Sequence, residues 1–368
     1  VAAAPDDPAI LLFTSGTAGR PKGALFTHAN ACQSLMNIEL IGAATYMTNT
    51  DAMNRQMGSG IPAKTLLAVP LFHISGLFSQ FIINLRHGRG LYLMYKWDAD
   101  EALRLVRDSG ITVLMGAPTM LLDLLNREDA LSSDFTAIAN ISAGGADTPP
   151  LLHDLYRQKT PDGLAGAGWG LTESGGTGAA FTGHYAHERP GTSGFPSPIM
   201  EFRFCDEHGS AVAEGTPGEM WVRSGATISG YVSGANDESV FEDGWLETGD
   251  IGYIDEEGLL HICGRAKDMV LRGGENIYPS EVEAMLLEHP DCEEAAVVAL
   301  PDSALGEVPG AVIRTTIDCA LTTDDWQAWC AERMAAYKIP AQWRFTDSAL
   351  PRNAVNKLLK QAIRDEFF

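Results

Sequence analysis

The chain has 368 residues, 48 acidic and 26 basic, which leaves a formal net charge of −22; 45% of residues are hydrophobic and 20% charged. That is a soluble, globular composition, long enough for two domains or for one large domain with a small appendage, and it excludes a disordered chain, a collagen and a small disulfide scaffold. The acidic balance argues against nucleic-acid binding, because the summed field of the protein repels a polyanion, so any phosphate ligand must meet locally placed cations.

The six cysteines, Cys32, Cys205, Cys263, Cys292, Cys319 and Cys330, form no C-x-x-C pair. They read as reduced, buried thiols of a cytoplasmic protein. The apolar stretch from Leu66 to Leu85 is interrupted by Pro70, His73, Ser75, Gly76, Ser79 and Gln80, so a strand, a loop and a helix are expected there rather than a membrane span. The chain starts with Val1, and strand-like residues begin almost at once, which leads us to expect a further segment upstream.

From residue 9 to about 170 short apolar runs alternate with amphipathic segments. Ala9–Phe13, Thr65–Val69, Leu91–Met94, Thr112–Met115 and Ile138–Ser142 are predicted strands. Helices are predicted to start near Thr27, Ser75, Asp98, Thr119 and Pro149, with Asp98 and Glu101 as a capping box. Strands alternating with helices imply crossovers and a largely parallel sheet. After about residue 195 the glycine-punctuated runs Glu201–Cys205, Glu219–Arg223 and Leu259–Cys263 predict a β-rich subdomain.

Near residue 267 the pattern changes again. A Ser280-x-x-Glu283 capping box is predicted to open a helix, followed by strands Ala295–Leu300 and Ala311–Thr316, a helix carrying Trp326, Trp329 and Cys330, and a basic terminal helix from about Asn356. The expected fold class is therefore α/β: a large N-terminal domain (residues 1–266) with largely parallel sheets plus a β-rich subdomain, then a small α+β domain (residues 267–368).

Four blocks carry chemistry. Thr14-Ser15-Gly16-Thr17-Ala18-Gly19-Arg20-Pro21-Lys22-Gly23 follows a predicted strand. Its glycines free the backbone to turn N–H groups toward an anion, its hydroxyls add donors, and Arg20 and Lys22 add charge. It suits a polyphosphate without matching the Walker pattern; by composition alone it is a turn. Gly168-Trp169-Gly170-Leu171-Thr172-Glu173-Ser174, after Ala143-Gly144-Gly145-Ala146, offers small residues for close approach of a flat ring, a stacking face, a hydroxyl and a hard carboxylate suited to Mg²⁺. A Trp between glycines is equally a packing residue.

The third block joins Glu247–Gly252, with Asp250, to Gly264-Arg265-Ala266-Lys267-Asp268 and Arg272–Pro279. An Asp can hold a ribose diol and an Arg can reach the sugar or its phosphate; the bland readings are a turn Asp and a surface Arg. The fourth, Pro351–Lys360 with Lys357, is by composition a solvated basic helix start.

Together and in this order the blocks resemble those of the adenylate-forming superfamily, which contains acyl-CoA synthetases, firefly luciferase and peptide-synthetase adenylation domains, and the resemblance runs from Ala9 to Arg364. It implies that Thr14, Ser15, Gly16, Thr17, Gly19 and Lys22 hold ATP phosphates, that Trp169, Gly170 and Gly144–Ala146 flank adenine, that Thr172 contacts phosphate, and that Glu173 holds Mg²⁺. It further implies that Asp250 and Arg265 bind ribose and Lys267 marks a hinge. Lys357 would serve the first half-reaction, and Gly274, within Gly273–Tyr278, would face the pantetheine of CoA when a mobile small domain swings.

Pro70-Leu71-Phe72-His73-Ile74-Ser75-Gly76 carries no Asp to pair with a substrate amino group, which disfavours amino acids. His73 resembles the gate of an acyl pocket; its bland reading is a hydrogen-bonded core histidine. Apolar Phe72, Ile74, Leu77, Met115 and Ala117 favour a hydrophobic, fatty acid, with aryl and steroidal acids left open. The implied function is an ATP-dependent acyl-CoA ligase using ATP, Mg²⁺ and CoA; the alternatives are a non-catalytic nucleotide- or acyl-adenylate-binding fragment and a luciferase-like oxygenase. Peripheral membrane contact stays open, and no oligomeric state is read. Ala18 stands where the family usually has Thr, Asn356 where it usually has Gly, and the long N-terminal segment of the family is absent before the first block.

Overall fold

A computed structural model of the chain describes residues 2–15, 21–145, 148, 150–232, 241–316, 321–353 and 357–368. Two compact units emerge: residues up to Thr248 with Tyr253–His261, and Gly249–Gly252 with Ile262–Phe368. The expected boundary between 266 and 267 lies a few residues further along, so Asp250 and Arg265 both fall in the second unit.

The first unit is organised around a seven-stranded sheet, in the spatial order Gly90–Leu93, Lys64–Leu67, Val113–Gly116, Asn140–Ala143, Leu164–Trp169, Ala179–Thr182 and Phe195–Pro196. The first five strands are parallel and the last two antiparallel. Four of the five expected strands lie here, joined by helices Ala99–Ser109, Pro118–Leu125 and Pro150–Lys159. Leu66, Leu114 and Ile141 from the sheet bury against Leu103, Val106, Leu121, Leu124, Leu152 and Tyr156 from those helices. This is the helix-on-sheet burial that the alternating pattern requires.

The fifth expected strand, Pro8–Ser15, instead forms an antiparallel hairpin with Pro21–Thr27, pairing Thr14 with Lys22 and Ser15 with Pro21. Gly230–Tyr231 adds a third strand beside Pro21–Thr27. Helix His28–Thr48 then starts at Thr27, whose hydroxyl accepts from the Asn30 N–H at 3.2 Å while the Asn30 side chain accepts from the Thr27 N–H at 3.0 Å. The reciprocal cap ends strand and starts helix within one residue.

At Asp98 only half of the expected box forms: its carboxylate accepts from the Glu101 N–H at 3.0 Å, but the Glu101 side chain turns outward to Arg104 at 2.6 Å. Residues 64–86 are a strand, a loop and a helical run, as expected, and among the described residues no helix is long and apolar enough to cross a membrane.

The β-rich stretch is a five-stranded sheet in which Glu201–Cys205, Gly218–Arg223, Trp245–Ile254 and Phe241–Glu242 follow one another, with Leu260–Arg265 paired to Trp245–Ile254. In the second unit Glu275–Ile277, Val270–Arg272, Gly306–Thr315 and Cys292–Asp302 form a sheet, and Gln342–Thr346 joins Gly306–Thr315 in parallel. Along Cys292–Asp302, Ala295 and Val297 enter one core with Trp326, Leu286 and Trp343. Ala296, Val298 and Leu300 enter another with Leu350 and Ile363. Burial on both faces explains an unbroken apolar run where alternation would mark a solvated face.

Helix Pro279–Leu287 has Tyr278 at its N-cap without a side-chain cap. The expected Ser280/Glu283 box is absent because both side chains have stronger tertiary partners: Ser280 donates to the Cys263 carbonyl, and Glu283 accepts from the Val297 N–H at 2.6 Å and pairs with Lys360 at 2.7 Å. The terminal helix begins at Lys360, later than expected. Cysteine burial is also only partly as expected: Cys205 and Cys330 are buried, Cys263 and Cys292 half-buried and Cys32 exposed, while Cys319 lies outside the described residues.

Candidate active site

In an open parallel sheet, ligands gather outside the carboxyl ends of the strands near the point where strand order reverses. Here the order reverses between Lys64–Leu67, whose crossover leads outward to Gly90–Leu93, and Val113–Gly116, from which the chain proceeds the other way. Pro70–Gly76 with His73 follows the first of these strands, and Met115–Ala117 closes the second. Gly144 and Gly145 follow Asn140–Ala143, and Gly170, Thr172 and Glu173 follow Leu164–Trp169. One end of a single sheet thus carries residues from blocks spread over a hundred positions of sequence.

The turn after Leu164–Trp169 is tight. Ser174 is fully buried, accepts from the Leu171 N–H at 2.9 Å and donates to the Leu171 carbonyl at 3.1 Å. The Gly175 N–H bonds the Thr172 carbonyl at 3.1 Å. A Cβ on Gly170 would stand 1.9 Å from the Gly176 carbonyl oxygen, so only glycine closes this turn. Its Glu173 side chain, half-buried, accepts from the Tyr231 hydroxyl at 2.8 Å, and its carbonyl accepts from the Ile228 N–H at 3.0 Å.

Tyr231 was not among the residues expected from sequence. Its two-residue strand has no periodicity to detect, yet its ring also sits 5.2 Å from the Lys22 ammonium, within cation–π range. The Lys22 hairpin, the His73 loop and the Glu173 turn rest on one core, in which Leu12, Ala24, Phe26, Ile74, Phe78 and Ile228 are buried together. Phe26 and Phe78 meet edge to face at 5.5 Å, a geometry that adds about 0.5–1.5 kcal/mol beyond area burial. Gly16, Thr17, Gly19 and Ala146 lie outside the described residues, as do Ala18 and Asn356; of Ser15 only the backbone is described.

Trp169 ends the strand Leu164–Trp169. Its ring is buried, tilted against Phe202 at a centroid distance of 5.8 Å, and a Cβ on Gly178 would run into its six-membered ring at 2.4 Å. Phe202 and the backbone at Gly178 thus fix the orientation of the ring. Gly144 and Gly145 are exposed, and a Cβ on either would meet nothing within 4 Å among the described residues. His73 is half-buried and hydrogen-bonds through Nδ1 to the Ser75 hydroxyl at 2.9 Å.

Among the described residues no group of three or more His, Cys, Asp or Glu is gathered as a metal cage. A single hard carboxylate, Glu173, next to Thr172 fits Mg²⁺, which dehydrates reluctantly and is typically held by one or two carboxylates, water and substrate phosphates.

The second unit carries the remaining expected residues. Asp250 is buried, and its Oδ1 accepts from Arg265 Nε at 2.7 Å, so the pair forms a pre-oriented acceptor and donor. Lys267 is exposed on the single turn Ala266–Asp268. Gly273 and Gly274, with φ of 60° and 93°, make the two-residue turn between Val270–Arg272 and Glu275–Ile277; positive φ at both positions is what such a hairpin requires.

Lys357 closes a short loop: its N–H donates to Asn353 Oδ1 at 2.9 Å and its carbonyl accepts from the Asn353 N–H at 2.9 Å. Though the residue is exposed, surrounding protein deprives its ammonium of hydration. This and then the nearby Arg265 hold it below the ordinary lysine range, against the opposing pull of Asp250 and Asp268.

Comparison with known proteins agrees with this division. The AMP-binding enzyme profile matches residues 1–232, and the AMP-binding enzyme C-terminal domain profile matches residues 281–357. A 2-succinylbenzoate–CoA ligase of Bacillus licheniformis is 35% identical over 97% of this chain and 70% of its own length. A long-chain-fatty-acid–CoA ligase of Bacillus subtilis is 33% identical over 98% of this chain and 62% of its own. The solved O-succinylbenzoate coenzyme A synthetase of Bacillus subtilis, in complex with ATP and magnesium ion, superposes with a TM-score of 0.80 at 31% identity, covering 99% of this chain and 71% of its own.

Proposed function

The chain belongs to the AMP-binding enzymes of the adenylate-forming superfamily, and from that premise we propose that it is an ATP-dependent acid–CoA ligase acting on a hydrophobic carboxylic acid. The observation that carries this reading is the convergence of His73, Met115–Ala117, Gly144–Gly145 and Gly170–Glu173 at one end of one parallel sheet, with Tyr231 linking Glu173 to the Lys22 hairpin.

In the first half-reaction a carboxylate oxygen of the acid forms a bond to the α-phosphorus of ATP, the bond to the β-phosphate oxygen breaks, and pyrophosphate leaves. Two anions must approach, so cations have to offset their repulsion. Lys22 meets the polyphosphate and Lys357 supplies the charge between carboxylate and α-phosphate. Glu173 would hold Mg²⁺, which when bound would supply positive charge to offset that on the leaving pyrophosphate.

Asp250 accepts from the ribose hydroxyls, and Arg265, already bonded to Asp250 Oδ1, keeps that carboxylate oriented. In the second half-reaction a CoA thiolate, its proton lost to solvent, attacks the acyl carbonyl; the acyl–phosphate bond breaks and AMP leaves. The Gly273–Tyr278 segment serves that step.

The acid we favour has an aromatic body. His73 with apolar Ile74, Met115 and Ala117 flanks the point of strand reversal, and relatives that act on 2-succinylbenzoate are among the most similar. A long-chain fatty acid is the second reading, supported by the Bacillus subtilis ligase. The test is ATP–pyrophosphate exchange across a panel of aryl, aryl-alkyl and fatty acids. Exchange with aryl acids above all others is expected, a fatty-acid preference supports the second reading, and ATP binding without exchange by any acid leaves only a nucleotide-binding fragment.

A further inference from the structure

The Glu173–Tyr231–Lys22 contact goes beyond the ligase reading, on which it rests. Tyr231 is fixed on the strand that carries Lys22: it pairs with Ala24, while the neighbouring Ser229 N–H bonds the Leu25 carbonyl at 2.9 Å and the Val232 N–H bonds the Gly23 carbonyl at 2.8 Å. From that backbone its side chain crosses to the turn after Leu164–Trp169, where its hydroxyl donates to Glu173 Oε1 at 2.8 Å, and on the way its ring passes the Lys22 ammonium at 5.2 Å. One side chain therefore holds a carboxylate and a cation that come from elements separated by about two fifths of the chain.

A carboxylate used by a metal needs its rotamer settled beforehand, because an unheld Glu loses side-chain entropy on binding. A donor on one oxygen does this and leaves the second oxygen to face a cation. We propose that Tyr231 is a positioning residue that orients Glu173 for Mg²⁺ and keeps Lys22 beside it, so that the metal and the triphosphate are taken up as one unit.

The experiment is calorimetric titration of the full chain with ATP, once with Mg²⁺ and once with EDTA, for the wild type, Tyr231→Phe, Glu173→Gln and the double variant. Tyr231→Phe keeps the ring and so the Lys22 contact, and removes only the hydroxyl. It is expected to weaken Mg·ATP binding about tenfold, the scale of a lost hydrogen bond to a charged group, with metal-free ATP binding changed less than about twofold. In the Glu173→Gln background the same change should no longer affect the metal-dependent part.

Mn²⁺ titration in the presence of ATP, followed by electron paramagnetic resonance, gives a second readout, in which Tyr231→Phe should leave less Mn²⁺ bound at a given free Mn²⁺ than the wild type. Equal weakening with and without metal, or no weakening, overturns the proposal. If Glu173→Gln itself leaves the metal dependence intact, the placement of Mg²⁺ at Glu173 fails instead, which separates the two claims.

Discussion

Asn353 and Lys357 hold each other at both ends of a short loop, each backbone N–H satisfied by the other residue at 2.9 Å. The loop is anchored further by Glu294, which accepts from the Leu350 N–H at 2.8 Å and from Arg352 Nη2 at 3.3 Å. An Asn side chain that accepts a backbone N–H four residues on closes such a loop at little entropic cost. Asn353→Ala is expected to slow acyl-adenylate formation about tenfold, of the order of one lost hydrogen bond in the positioning of Lys357. Thioester formation from preformed acyl-adenylate should be unchanged. Rapid-quench measurement of the two half-reactions separates these outcomes.

The depressed Lys357 ammonium has a consequence for the pH profile. In the proposed mechanism the first half-reaction needs the charged form, so its rate is expected to fall as pH rises through a value below the ordinary lysine pKa of about 10.4. Lys357→Arg, whose guanidinium stays charged, should remove that alkaline limb while lowering the plateau. Pyrophosphate exchange against pH measures both.

A second titration concerns stability. His153, on helix Pro150–Lys159, is buried with neither ring nitrogen hydrogen-bonded among the described residues, and the Tyr156 hydroxyl and His187 Nδ1 are likewise unsatisfied. Burial, then the charges of Arg157 and His187, push His153 below the usual histidine value, with Asp154 opposing. Because the unfolded chain takes up this proton first, stability is lost as pH falls from about 6.5 toward the folded pKa. His153→Phe should flatten the dependence of Tm on pH in that window, as differential scanning calorimetry can show; an unchanged slope would exclude His153 as its source.

How far such features can be read from sequence depends on how local their causes are. Periodicity located four of the five parallel strands, since it reflects constraints within a few residues. The direction of the Trp169 ring depends on Phe202 and Gly178, and Ser280 and Glu283 give up their cap for Cys263, Val297 and Lys360; those competitors are distant in sequence. Tyr231 reaches Glu173 across 58 positions, a contact that no local pattern encodes.

The most direct test of the central claim is a single turnover with ATP, Mg²⁺ and the best acid from the panel, analysed by mass spectrometry before and after CoA is added. The account predicts a stoichiometric acyl-adenylate in the wild type that converts to acyl-CoA with release of AMP, and no adenylate from Lys357→Ala. Hydrolysis of ATP to ADP, or acyl-CoA formed without passing through an adenylate, would contradict it.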